Sequence, residues 1–200
     1  MNKTILWLTA IMAILAAGCE NDTHRSGSIK VLDGDTFITA SGETVRLLGI
    51  DAPEKEQNYY LEAGQLLGRT LERGEVRLEF DEQRFDRYGR TLAYVFAGGV
   101  FVNQALLDSG LAVVYSYQTN SKHRNELADA QMRARNALKN LWSVPVANPC
   151  EYYLATLSSL RFHRPECNSI RGRPVAELRR FQTRDEALDE GLSPCRNCKP

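Results

Sequence analysis

Three strand-like stretches follow one another at residues 28–32, 36–40 and 43–50, and only then does the pattern turn helical. Such a meander, with later strands separated by helices, leaves few ways to build a single core. Ser41-Gly42 between the second and third stretches predicts a two-residue hairpin turn. Residues 59–73 carry Leu61, Leu66, Leu67 and Leu71 at helical spacing, with Gly74 as the stop. Residues 75–80 and 91–96 alternate as strands around a loop at Asp86-Arg87-Tyr88-Gly89-Arg90. A short helix over 102–108 ends at Gly110. A longer one over 122–141 has Leu127, Ala130, Ala134, Ala137, Leu138 and Leu141 on its apolar side.

These elements suit an α+β fold on a small barrel of the OB type. A proline-containing break, Ser-Val-Pro-Val-Ala-Asn-Pro at 143–149, divides the chain: residues 28–143 form the main domain, 144–150 a linker and 151–200 a small module. The 200 residues hold 25 Lys plus Arg and 25 Asp plus Glu, with 43% hydrophobic residues. Those values exclude a disordered chain, a collagen-like repeat and a polytopic membrane protein.

Residues 1–18 read as a leader. Lys3 precedes an apolar run over 5–17, broken only by Thr9, which is shorter than the ~20 residues a membrane-spanning helix needs. The run ends in Leu15-Ala16-Ala17-Gly18-Cys19, and small residues directly before a cysteine resemble the bacterial lipobox. That likeness implies a lipidated Cys19 at the mature N-terminus, a polar tether over 19–27, and an exported lipoprotein facing the periplasm or the cell surface. The other reading is a secreted protein in which Cys19 is incidental.

With Ser41-Gly42 as the hairpin turn, Ala40 faces Glu43 and Asp35 falls opposite Leu48. Asp51 lies just past the third strand, so Asp35 and Asp51 emerge at the same open end. Two carboxylates converging there are what a hard cation requires. Glu54 follows the Ala52-Pro53 turn, placed to orient a water beside that cation. Arg46 stands in an otherwise apolar strand and calls for an anionic partner. Arg90 closes its loop where a phosphate can be held in bidentate fashion. Asp33-Gly34-Asp35-Thr36 taken alone is an ordinary turn, and no EF-hand is present, because the loop position that needs a Glu is Thr44.

The blocks Leu32-Asp33-Gly34-Asp35-Thr36-Phe37, Val45-Arg46-Leu47-Leu48-Gly49-Ile50-Asp51-Ala52-Pro53-Glu54 and Asp86-Arg87-Tyr88-Gly89-Arg90-Thr91-Leu92-Ala93-Tyr94 resemble, in order, the signature of the staphylococcal nuclease family. The likeness runs over about residues 28–143. It implies a five-stranded OB-fold β-barrel and a Ca²⁺-dependent phosphodiesterase that cuts DNA and RNA with little sequence preference, leaving 3′-phosphates. By resemblance, Asp35, Asp51 and the Ala52 carbonyl ligate Ca²⁺, and Glu54 positions the attacking water. Arg46 and Arg90 bind the phosphate; Tyr88 with Tyr115 or Tyr117 lines the nucleotide pocket. Two departures stand out: Ala52 replaces the usual Thr, and the loop after Glu54 is shorter than in the founding member. Nuclease-like OB domains that bind without cutting have lost these carboxylates. Retention of Asp35, Asp51, Glu54, Arg46 and Arg90 favours the enzyme.

Cys150, Cys167, Cys195 and Cys198 all fall in the tail. Cys195-Arg196-Asn197-Cys198 has the spacing of a zinc knuckle, and His163 with Cys167 offers a second pair. Thr183-Arg184-Asp185-Glu186 is a capping box for a helix that stops at Gly191. The tail resembles the zinc-binding domain of the Ada alkylation-repair protein across 152–200, through the Arg-Pro-x-Cys around Cys167, Glu186-Ala187-Leu188 and Pro194-Cys195-x-x-Cys198. In that family four cysteines bind zinc and one accepts a methyl group. His163 holds the acceptor's position here, which implies a closed, structural His163/Cys167/Cys195/Cys198 zinc site and no methyl transfer. Two disulfides, or a four-cysteine site with Cys150 in place of His163, are the alternatives. Arg171, Arg173, Arg179, Arg180 and Arg184 form either a nucleic-acid surface or a solvated face. No protein partner is implied, and the chain reads as a monomer. A zero net charge is compatible with a nuclease that holds nucleic acid through its metal and a few arginines.

Overall fold

A computed structural model describes residues 29–200 together with the backbone of a two-residue strand, β1 (Thr23–His24). The leader and Cys19 lie outside the described residues. Among those described, no helix is long and apolar enough to cross a membrane.

The meander is present as β2 (Lys30–Val31), β3 (Thr36–Ile38) and β4 (Thr44–Leu47). Its register corrects the sequence reading by one residue. Thr36 faces Arg46 and Phe37 faces Val45, so Thr39, not Ala40, meets Glu43, and the Asp35 carbonyl receives the Leu47 N–H rather than lying across from Leu48. The turn holds three residues, Ala40, Ser41 and Gly42. Gly42 takes φ +86°, as the last position of a three-residue hairpin loop demands. The Thr39 hydroxyl accepts from the Glu43 N–H at 3.1 Å and locks that choice.

The third stretch does not continue to residue 50 as one strand. It breaks at Gly49, where φ is +75° and a β-carbon would fall 2.5 Å from the Leu127 side chain. Asn103 is fully buried and holds this corner, its amide donating to the Leu48 carbonyl at 2.8 Å and accepting from the Val95 N–H at 2.9 Å. The chain then enters β5 (Ile50–Asp51).

Helix α1 (Tyr60–Leu71) buries Ala63, Leu67 and Leu71 while Leu61 stays exposed. Strands β6 (Val76–Glu79), β7 (Thr91–Ala97) and β8 (Val100–Phe101) lead into α2 (Val102–Asp108). Sheet order is β1-β6-β7-β4-β3-β2, with β8 on β7. Apart from the two-residue β1 and β8, these are the five strands read from the sequence. All neighbours run antiparallel except β4 and β7, which are parallel with Arg46 beside Leu92. Arg46 therefore sits inside the sheet between β3 and β7, 3% exposed.

β9 (Val113–Val114), not foreseen, pairs with β5 and sets Asp51 opposite Val113. The side-chain amide oxygen of Gln131, on α3 (Arg124–Asn136), accepts from the Val114 N–H at 2.7 Å. This helix stops five residues short of the sequence reading, and Ala137 and Leu138 are exposed. The cause is tertiary. Leu138 and Asn140 adopt positive φ, the Asn140 amide donates to the Ser109 carbonyl at 2.6 Å, and the Leu141 N–H donates to Gly110. One apolar core, including Phe37, Val45, Leu47, Leu67, Leu92, Leu106 and Leu127, closes this part.

The remaining chain has its own small core around Tyr153, Phe162, Phe181 and Leu188. β10 (Tyr153–Thr156) pairs antiparallel with β12 (Leu178–Phe181), and β11 (Arg161–Phe162) pairs parallel with β13 (Ser193–Pro194). α4 (Arg184–Asp189) starts at Thr183, whose hydroxyl accepts from the Glu186 N–H, and gives way to Gly191 at φ +76°. This tail docks on the larger part through a buried hydrogen bond and two surface ion pairs. The Ser116 N–H donates to the Ser193 hydroxyl at 2.9 Å, and Arg135 pairs with Asp185 and Asp189 at 2.8 and 2.6 Å.

Candidate active site

Three elements converge on one buried ion cluster. The loop before β3 supplies Asp35, β4 supplies Arg46 and β5 supplies Asp51. One guanidinium nitrogen of Arg46 lies 2.9 Å from Asp35 and 3.0 Å from Asp51, while the other donates to the Leu47 carbonyl at 3.0 Å. The anionic partners that Arg46 calls for are thus the two carboxylates themselves. Asp35 also accepts from the Ala52 N–H at 2.8 Å and from the Thr36 hydroxyl at 3.0 Å, which ties the Ala52-Pro53-Glu54 turn to the hairpin end. Gly34 permits this approach, since a β-carbon there would meet Ala52 and Ala63, each at 2.6 Å.

Burial pushes the Asp35 carboxyl up to about 7, with repulsion from Asp33 and Asp51 outweighing part of the pull of Arg46. Carboxylate oxygens so arranged are a donor set suited to a hard cation.

Glu54 is exposed on its turn, its N–H held by the Gln57 side chain at 2.8 Å. With Asp51 and Ala52 it lines a cavity of about 620 Å³. Arg90 makes no hydrogen bond to this group. Its side chain donates to Asp86 at 2.7 Å, and its guanidinium stands 5.5 Å from the ring centre of Tyr88, which is itself exposed. Tyr115 and Tyr117 are neighbours, 5.4 Å apart by ring centres. Burial raises the Tyr117 phenol while the charges of Arg46 and Arg196 pull it down.

The sequence reading missed Arg196. From between the two knuckle cysteines it reaches Asp51, donating through Nε to Oδ2 at 2.9 Å and through Nη2 to Oδ1. The same guanidinium packs 4.2 Å from the Tyr115 ring centre, and Arg161 covers that ring at 3.6 Å. The contact with Asp51 drives the Arg196 pKa upward against the opposing effect of burial. The one available signal was a basic residue inside a Cys-x-x-Cys, where interior side chains point away from a bound metal.

Ligand atoms of His163, Cys167, Cys195 and Cys198 lie within 4.8 Å of one another. None of the cysteines among the described residues forms a disulfide, and Cys150 is outside the cluster, its sulfur 3.2 Å from Arg164. His163 Nδ1 is buried without a hydrogen-bond partner, an orphan a metal would satisfy. Burial also lowers the His163 pKa, favouring the neutral ligand form. Burial beside two other thiols pushes Cys198 up to about 12. These groups fit a thiolate-binding metal such as zinc.

Comparison with known proteins agrees with this geometry. The staphylococcal nuclease homologue family matches residues 44–144. The chain is 37% identical over 150 residues to the thermonuclease of Staphylococcus hyicus, covering 70% of this chain and 89% of that protein. It is 38% identical over 122 residues to the thermonuclease of Staphylococcus intermedius, covering 56% and 73% respectively. Endonuclease YncB of Bacillus subtilis (strain 168) is 34% identical over 125 residues, covering 57% of this chain and 59% of its own. With a buried Asp35–Arg46–Asp51 cluster at the end of a β-meander and this degree of identity, the chain is a member of the staphylococcal nuclease family.

Proposed function

We propose that this protein is a Ca²⁺-dependent phosphodiesterase that hydrolyses DNA and RNA with little sequence preference and leaves 3′-phosphate ends. The observation that carries the reading is the convergence of Asp35, Arg46 and Asp51, with Glu54 lining one cavity together with Asp51. Names of relatives, thermonuclease and endonuclease, support it. Asp35, Asp51 and the Ala52 carbonyl hold Ca²⁺, which when bound polarises a phosphoryl oxygen. Glu54 takes the proton of a water that attacks phosphorus in line, and the 5′-oxygen leaves with a proton from solvent. Arg46 and Arg90 donate to the equatorial oxygens as charge builds there. For Arg90 this requires exchanging Asp86 for the phosphate. Tyr88, Tyr115 and Tyr117 line the nucleotide pocket.

The leader and Cys19 make the enzyme an exported, lipid-anchored protein facing the periplasm or cell surface, with the nuclease domain at 28–143 joined to an Ada-like module at 151–200. His163, Cys167, Cys195 and Cys198 hold a structural zinc ion. The test is digestion of plasmid DNA and of single-stranded RNA with Ca²⁺, with chelator, and by Glu54→Gln. Cleavage that needs Ca²⁺ and falls by about two orders of magnitude or more in the variant is the expected result. Nucleic acid bound but uncut by the parent, or cut equally by Glu54→Gln, overturns the proposal.

A further inference from the structure

Asp51 is claimed twice in this structure. Arg46 reaches it from β4, the preceding strand in the chain, as a nuclease core alone would provide. Arg196 reaches it from the other end of the chain and engages both of its oxygens. A carboxylate has about four lone-pair positions, and these two guanidiniums fill three. A divalent cation binds carboxylate oxygen at about 2.3–2.6 Å, so a cation on Asp51 and a guanidinium on the same two oxygens compete for lone pairs and repel as like charges.

The tail cannot relieve this competition by drifting away at little cost. Ser193 and Gly191 receive hydrogen bonds from Ser116, and Asp185 and Asp189 hold Arg135. Arg164 donates to the carbonyls of Ala147, Asn148, Cys198 and Lys199, tying the linker to the knuckle. What can move is the Arg196 side chain. It has a second resting place already in contact, the Tyr115 ring, against which its guanidinium is packed.

Resting on the cation-dependent reading above, we infer that Arg196 is a positioning residue of the nuclease site: the knuckle holds its guanidinium on Asp51 as a built-in competitor, so that the cation must displace it to bind. The C-terminal module thereby raises the Ca²⁺ concentration at which the site fills.

The experiment titrates the full, zinc-loaded chain with Ca²⁺ alone by calorimetry, without nucleic acid, and compares Arg196→Gln, Arg196→Lys and Arg173→Gln. Arg173 carries the same charge but pairs with Glu177 on the tail surface, which controls for net charge. Loss of two charge-assisted hydrogen bonds predicts Ca²⁺ binding roughly tenfold tighter in Arg196→Gln. Arg196→Lys falls between, because an ammonium cannot hold both oxygens. Arg173→Gln matches the parent. Equal zinc content in all four proteins shows that the knuckle is intact, and if Arg196→Gln loses zinc, Arg196→Lys alone carries the comparison. Unchanged or weaker Ca²⁺ binding in zinc-loaded Arg196 variants overturns the inference while leaving the nuclease reading in place. No Ca²⁺ binding by parent or variants overturns both.

Discussion

Replacing Arg46 with Met keeps most of the side chain's volume and removes its charge. Arg46 is 4% exposed and Asp35 9% exposed as side chains, so the change leaves Asp35 buried without its cation. Removing one member of a buried ion pair costs about 3–5 kcal/mol. Asp51 keeps Arg196, and Asp35 keeps its hydrogen bonds from Ala52 and Thr36, which places the loss near the lower figure, about 3 kcal/mol. For a chain of this size that corresponds to a melting temperature lower by about 6–12 °C. Calcium offsets the missing charge, because a cation between Asp35 and Asp51 does what the guanidinium did. At 100 times its dissociation constant a ligand adds about 2.7 kcal/mol, enough to restore most of the loss. The assay is thermal unfolding of parent and Arg46→Met at pH 8, with chelator and with Ca²⁺. A variant that melts with the parent in chelator, or that Ca²⁺ fails to rescue, refutes the electrostatic account of this cluster. Adding Asp35→Leu to Arg46→Met removes the unpaired charge and recovers stability without Ca²⁺, which separates charge from packing.

Glu79 supplies a pH test away from the cleft. Burial opposes ionisation, but Lys122, His123 and Arg77 surround the carboxylate and hold its pKa down at about 2, against an ordinary 4.5. Its folded pKa lies below the unfolded one, so its contribution to stability is complete above about pH 4.5 and is lost as the pH falls towards 2. Glu79→Gln therefore melts a few degrees below the parent at pH 7 and together with it near pH 2; parallel melting curves across that range rule this out. For the knuckle, metal analysis returns about one zinc per chain, and Cys167→Ser loses it together with stability. A parent chain with no zinc and no titratable thiols would instead mean disulfides.

Much of the fold was legible because its signals are local. The five strands, the Val102–Asp108 helix and the Thr183 cap follow from period, glycine placement and side-chain chemistry within a few residues. The convergence of Asp35 and Asp51 survived a register error of one residue, since both lie beyond the paired segment where a slip moves them little. Other features were set at a distance. Ala137 and Leu138 continue an apolar spacing, yet the helix ends before them because Ser109 and Gly110 capture the chain that follows. β9 is two residues long and exists only against β5. The clustering of His163, Cys167, Cys195 and Cys198 could be expected from their two spaced pairs. Arg196 could not, since nothing local in a knuckle tells which carboxylate its interior arginine will meet.

The Arg196–Asp51 contact joins positions 145 residues apart. Chains emerge and fold from the N-terminus onward, so Asp35, Arg46, Asp51 and Glu54 are made long before the guanidinium that covers Asp51 and before the tail residues, Arg164, Arg184, Pro194 and Cys195 among them, that complete the cavity. Every partially made chain, and every chain clipped after the linker, presents Asp51 without Arg196. On the inference drawn above, the chain with its tail is the less cation-responsive form of the site, and proteolytic removal of the tail acts as a gain in cation sensitivity rather than a loss of a part.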